Sequence, residues 1–191
     1  MGNLSLSRQW KLVCNSANYW IIFCTPLIVA VCITQLILLH KYPIDKYVLE
    51  VAALFVTAGF CGLCFTRFVF SKDRFFLWAA GVMLVLLVRE IHPPGSSEGV
   101  YLGLLTLFYI AYKQHHLFVD YIRSNHLVTM LGMGFFSYFL SVTTDQRFWQ
   151  FIPEEKLFHT KLEESLEMLG HITIGVALLF ATKNKKTVEN S

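Results

Sequence analysis

Six apolar stretches, separated by short charged or proline-containing turns, constrain this chain more than anything else in it. They run 19–39, 47–66, 75–91, 99–113, 126–144 and 165–182. A helix that crosses hydrocarbon needs on the order of 20 mostly apolar residues, with the shortest near 17. The expected fold is therefore all-α: a polytopic membrane bundle of six transmembrane helices forming one membrane domain over residues 1–191. Composition agrees. Only 15% of residues are charged, against about a quarter in a soluble domain, and the mean hydropathy is +0.52. The first seventeen residues are too polar for a signal-peptide core, so the first span reads as an uncleaved anchor.

Lysine and arginine near span ends set orientation. With an even number of spans both termini share a side, and ten of the sixteen Lys and Arg fall there, among them Arg67, Lys72, Arg74, Lys113 and Arg123. That bias places both termini in the cytoplasm. The acids divide the other way: ten of thirteen lie on the opposite side, including Glu50, Glu90, Asp145, Glu163, Glu164 and Glu167. The extracytoplasmic end is therefore acidic, either because acids collect where bases are excluded or because a cation binds there.

The sharpest local pattern opens the last span. In Leu162-Glu163-Glu164-Ser165-Leu166-Glu167-Met168-Leu169-Gly170-His171, one helix would put Glu164, Glu167 and His171 on a single stripe at i, i+3 and i+7. Carboxylates carried into the mouth of a membrane span need partners. The third span ends in Arg89-Glu90-Ile91-His92-Pro93-Pro94, where the prolines stop the helix. Glu90 pairs with Arg89 in the plain reading, or joins a ligand set with His92 if the helix unwinds. Glu50, in the first turn or so of span two, either snorkels outward or faces the bundle. After span five, residues 148–161 mix aromatics with charges and are expected to lie in the interface as a short amphipathic segment.

Two chemistries compete for this end of the bundle. Carboxylate with imidazole suits zinc, iron or manganese. Glu164, Glu167 and His171, with Glu90 or His92, would hold the ion in a metal-dependent hydrolase acting on a lipid or other membrane-embedded substrate. Asp145 would serve as general base and Arg147 as oxyanion or phosphate clamp. Alternatively, the protein is a non-enzymatic transporter or assembly protein whose acidic stripe relays protons or braces the bundle. Haem ligation is not expected, because His171 has no opposed histidine. Cys61 and Cys64 form a CxxC spacing without a second pair and read as packing residues. Gly132 and Gly134 read as close-packing points. The expected partner is membrane lipid and not nucleic acid, and oligomeric state stays open.

Val88-Arg89-Glu90-Ile91-His92 with Leu162-Glu163-Glu164-Ser165-Leu166-Glu167 resembles a group of small multi-pass bacterial inner-membrane proteins of unknown activity. There an Arg-Glu-apolar-acid run ends a middle span and a Glu-Glu-x-x-Glu run opens the last. The resemblance implies a bacterial inner (plasma) membrane location and supplies no reaction. More distantly, the chain is similar to alkaline ceramidase-like membrane hydrolases, which gather ligands around a metal inside a helical bundle. Where those carry His-x-x-x-His on a late helix, this chain has Glu167-x-x-x-His171, and its expected helix count is one fewer.

Overall fold

The structure is a computed structural model that describes residues 11, 13–39, 45–91, 96–152 and 154–183. Its long elements are all helices: α1 (Tyr19–Leu38), α2 (Lys46–Ser71), α3 (Arg74–Ile91), α4 (Ser96–Lys113), α5 (His115–Ile122), α6 (Asn125–Asp145) and α7 (Glu155–Leu179). Six of these overlap the six apolar stretches, with α7 beginning ten residues before the expected 165. Among the described residues three helices are long and apolar enough to cross a membrane: Tyr19–Leu38, Lys46–Ser71 and His126–Asp145. Charged residues set two of the remainder apart. α3 carries Arg74, Arg89 and Glu90 within its 18 residues, and α7 carries the glutamate run inside its first half.

Local chemistry sets the ends. Asn18 caps α1 by accepting a hydrogen bond from the Ile21 amide at 3.4 Å, satisfying one of the orphan donors of a first turn. The Asn18 amide in turn donates to Thr129 Oγ1 at 3.0 Å, tying the start of α1 to α6. Pro26 lies inside α1 and is buried against its neighbours. α2 ends on Lys72, which takes the left-handed conformation (φ 54°) while its amide donates to Phe68 O at 2.7 Å.

α7 organises the bundle. It is one uninterrupted helix of 25 residues, about 37 Å long at 1.5 Å per residue. Phe158, Leu162 and Leu166, four apart, join Ile37 of α1 and Leu140 of α6 in one apolar cluster. Ile174, Ala177 and Leu178 join a larger cluster with Phe75, Met83, Phe118 and Tyr121 further along. Residues 148–161, expected to lie in the interface, comprise turns over 148–152 and the first turns of α7, where Phe158 packs into the core at 1% exposure.

α6 and α7 pack closely through small residues. A Cβ on Gly170 would lie 2.9 Å from the Tyr138 ring and 3.3 Å from the Gly134 carbonyl. Gly134 itself faces Ile174, and Gly132 faces Ile22. Both glycines on α6 therefore sit at helix crossings, as small residues do where backbones approach.

Candidate functional site: a buried polar layer

Near the ends of α3 and α6 and at the middle of α7, six polar side chains meet. Arg89 and Glu90 come from α3, Tyr138 and Ser141 from α6, and Glu167 and His171 from α7. They form two linked chains. In the first, the Arg89 guanidinium binds Glu167 in a short ion pair, and Ser141 Oγ donates to the same Glu167 Oε1 at 2.9 Å. In the second, the His171 ring is held at both nitrogens. Nδ1 meets the Tyr138 hydroxyl in a short hydrogen bond, and Nε2 lies 2.9 Å from Glu90 Oε1. The chains touch where the Arg89 guanidinium lies over the Tyr138 ring, 5.2 Å from its centroid, within cation–π range.

Burial gives this arrangement its meaning. The His171 side chain is 0% exposed and the Glu90 side chain 5%, while those of Glu167 and Arg89 are 10% and 28%. Charges at such depth persist only when paired and hydrogen-bonded. The layer contains two carboxylates, one guanidinium and one imidazole. Its formal charge is zero with the imidazole protonated and minus one with it neutral, so a single proton on the Glu90–His171 pair decides whether the layer is neutral.

Helical spacing explains the delivery of each group. Glu167 and His171 are i, i+4 on α7, and Gly134, Tyr138 and Ser141 are i, i+4, i+7 on α6; each set lies on one face. The small residues Gly134 and Gly170 bring those faces close enough for the phenol to reach the imidazole. Arg89 and Glu90 are adjacent in sequence and reach successive turns of α7, Arg89 at Glu167 and Glu90 at His171.

The remaining residues singled out in the sequence lie elsewhere. Glu164 is on the rim, 3.5 Å from Lys46 Nζ, and the same lysine is 3.3 Å from Glu50, which is exposed. Asp145 is exposed at the end of α6 and accepts from Gln146 Nε2 at 3.1 Å. Arg147, in the left-handed conformation at φ 56°, donates through Nε and Nη2 to Glu155 at 3.3 and 2.8 Å. Those hydrogen bonds and the guanidinium charge hold the Glu155 carboxyl below the usual carboxylate range. Neither Asp145 nor Arg147 makes a hydrogen bond or ion pair to the buried layer among the described contacts. His92 lies outside the described residues. Among the described residues no three His, Cys, Asp or Glu side chains converge as a metal-binding group. Cys61 and Cys64 are free thiols on α2.

Three participants do not stand out in the sequence reading: Tyr138, Ser141 and Lys46. The first two could have been found by applying the stripe rule to span five, because Gly134-x-x-x-Tyr138-x-x-Ser141 has the spacing of one helix face. Lys46 is a start-of-helix cation whose reach to Glu164 depends on how α2 packs against α7.

No family model, no curated protein and no solved structure matches this chain. Among the described residues the chain is all-helical, with three helices long and apolar enough to cross a membrane and a buried layer of ionisable side chains.

Proposed function

We propose that this is a non-enzymatic, proton-binding membrane transporter, six-spanning in a bacterial inner membrane with both termini cytoplasmic. The observation that carries the reading is the Tyr138–His171–Glu90 chain, buried in the bundle and partnered at both imidazole nitrogens. An imidazole bonded on both sides can accept a proton at one nitrogen and release one from the other. With Nε2–H donating to Glu90, Nδ1 accepts from the Tyr138 hydroxyl. A proton arriving at Nδ1 turns the phenol oxygen into the acceptor, and the proton on Nε2 can then pass to Glu90. Arg89 and Glu167 form the fixed ion pair beside this path. Ser141 holds the Glu167 carboxylate in place.

Orientation follows from the lysine and arginine bias, and the inner-membrane location from the resemblance of the Arg89-Glu90 and Glu163–Glu167 runs to small bacterial inner-membrane proteins. The reading is favoured over a metal-dependent lipid hydrolase because Glu164 and Glu167 are each matched to a protein cation. A metal ion would have to displace Lys46 and Arg89 from them. Metal content of the purified protein, before and after Glu167→Ala, tests that alternative directly.

The experiment for the proposal is proton flux in liposomes. Full-length protein is reconstituted with a pH-sensitive dye inside, and an imposed potential drives protons inward. The protein is expected to acidify the lumen several-fold faster than empty liposomes, and His171→Asn to bring the rate to the empty-liposome level while remaining folded. Equal flux from the wild type and empty liposomes would refute the relay.

A further inference from the structure

At the opposite end of the bundle from the buried layer, the turn between α2 and α3 carries two cations with no acid assigned to them. Lys72 and Arg74 are both exposed, and no carboxylate among the described residues lies within ion-pair distance of either. Asp73, between them in sequence, is turned away and fully engaged. Its Oδ2 accepts from Tyr121 and from Lys183, each at 2.7 Å, and its Oδ1 accepts from the Phe75 amide at 3.1 Å.

Lys72 and Arg74 stand at the rim of a cavity of about 410 Å³, together with Gln114. Below the rim the wall is apolar: Leu77 and Trp78 on α3, Leu107 and Ile110 on α4. Trp78 Nε1 donates to the Leu107 carbonyl at 2.8 Å, which joins the two helices at the back of the trough. Leu77 and Ile110 are exposed along its mouth. α2, which delivers this turn, is long and apolar enough to cross a membrane, so the turn sits at a membrane surface. A trough that is cationic at the surface and apolar beneath it matches one chemical class: an amphiphile with an anionic head and a hydrocarbon tail.

We infer that the α2–α3 turn and the α3–α4 trough form a binding site for an anionic phospholipid, with Lys72 and Arg74 on the phosphate and an acyl chain along Leu77, Leu107 and Ile110. Lys72 reaches the rim from a left-handed backbone (φ 54°), a conformation that glycine adopts more readily than any side-chain-bearing residue. Glycine would therefore suit the helix end better, and lysine suits the ligand.

That conflict supplies the test. Full-length protein in detergent is titrated with dioleoyl phosphatidylglycerol, dioleoyl phosphatidylcholine, dihexanoyl phosphatidylglycerol or inorganic phosphate, with adducts counted by native mass spectrometry and melting followed in parallel. The long-chain phosphatidylglycerol is expected to bind at least about five-fold more tightly than phosphatidylcholine. Its short-chain analogue and phosphate should bind far more weakly. The Lys72→Gln/Arg74→Gln variant should lose the preference for phosphatidylglycerol. Lys72→Gly should lose most of it while melting at the same or a higher temperature. Equal binding of the two long-chain lipids, retention of the preference in the double variant, or equal binding of inorganic phosphate and phosphatidylglycerol would each overturn the inference.

Discussion

The two ends of this bundle use the same ingredients in opposite ways. At one end Arg89, Glu167, Glu90 and His171 are packed between helices, and each carboxylate has a basic partner inside the layer. At the other, Asp73 bridges Tyr121 and Lys183 with the lysine side chain 49% exposed. Coulomb attraction between two charges changes several-fold with the dielectric around them. A pair near water contributes little, because each member is well solvated without the other. A sealed pair has no such alternative, and its loss leaves a bare charge. What separates the two ends is the consequence of breaking a contact more than the number of contacts made.

The sharpest way to break the comparison is Glu167→Ala. It strands Arg89 and removes the acceptor of Ser141, and should cost about 3 kcal/mol, somewhat less than for a fully sealed cation because Arg89 is 28% exposed. Unfolding of the detergent-solubilised protein measures it. Adding Arg89→Met to that variant should restore more than half of the loss; a double variant as unstable as the sum of the singles would mean that the two residues do not act as a pair. Gly170→Ala comes next, at about 2 kcal/mol, because its methyl would press on the Tyr138 ring and the Gly134 backbone. It should also slow proton flux by moving the phenol off His171.

Tyr138→Phe removes one hydrogen bond and keeps the ring beneath Arg89, so about 1 kcal/mol is expected. If its melting curve matches the wild type, the phenol–imidazole contact contributes nothing to stability. At the shallow end the effect is smaller and depends on pH. Partial burial alone would raise the Asp73 carboxyl, but the hydrogen bonds from Lys183, Tyr121 and the Phe75 amide outweigh it and hold it below its ordinary value of 3.8. A carboxyl depressed in the folded state stabilises fully above its unfolded pKa. The contribution disappears as pH falls through the lower folded value. Stability should therefore decline below about pH 4 by less than ~1 kcal/mol through this residue, and Asp73→Asn should remove that part of the slope in melts taken between pH 3 and 6. Lys46→Ala removes an exposed lysine from exposed Glu50 and from Glu164, which is 12% exposed, and should change stability by about 0.5 kcal/mol. A larger loss would mean that the rim is sealed like the layer beneath it.

Much of the helical framework could be read directly. Span one is expected at 19–39 and forms Tyr19–Leu38; span five is expected at 126–144 and forms Asn125–Asp145. Long apolar runs are nearly self-defining, since a helix satisfies its own backbone. Less legible were the ends. The continuation of α7 back to Glu155 depends on Phe158 finding Ile37 and Leu140, residues from two other helices. The site was partly legible in the same sense. The stripe of Glu164, Glu167 and His171 is a property of helical geometry, whereas its division, with Glu164 on the rim and the other two in the layer, follows from which neighbours stand opposite. Glu90 and Arg89 illustrate the limit. Adjacent in sequence, they read most simply as partners of each other, and the packing of α3 on α7 gives each a different partner.

By itself the order of residues determined that this chain is helical, that apolar stretches dominate it, and that acid and imidazole enter one end of its last helix; these follow from periodicity and transfer from water, which act locally. Only tertiary structure decided that Arg89 answers Glu167, that Glu90 and Tyr138 take the two sides of His171, and that Asp145 and Arg147 stand apart. Pairing of charges across helices is set by distances of a few ångströms between elements far apart in the chain, and no local pattern encodes those distances.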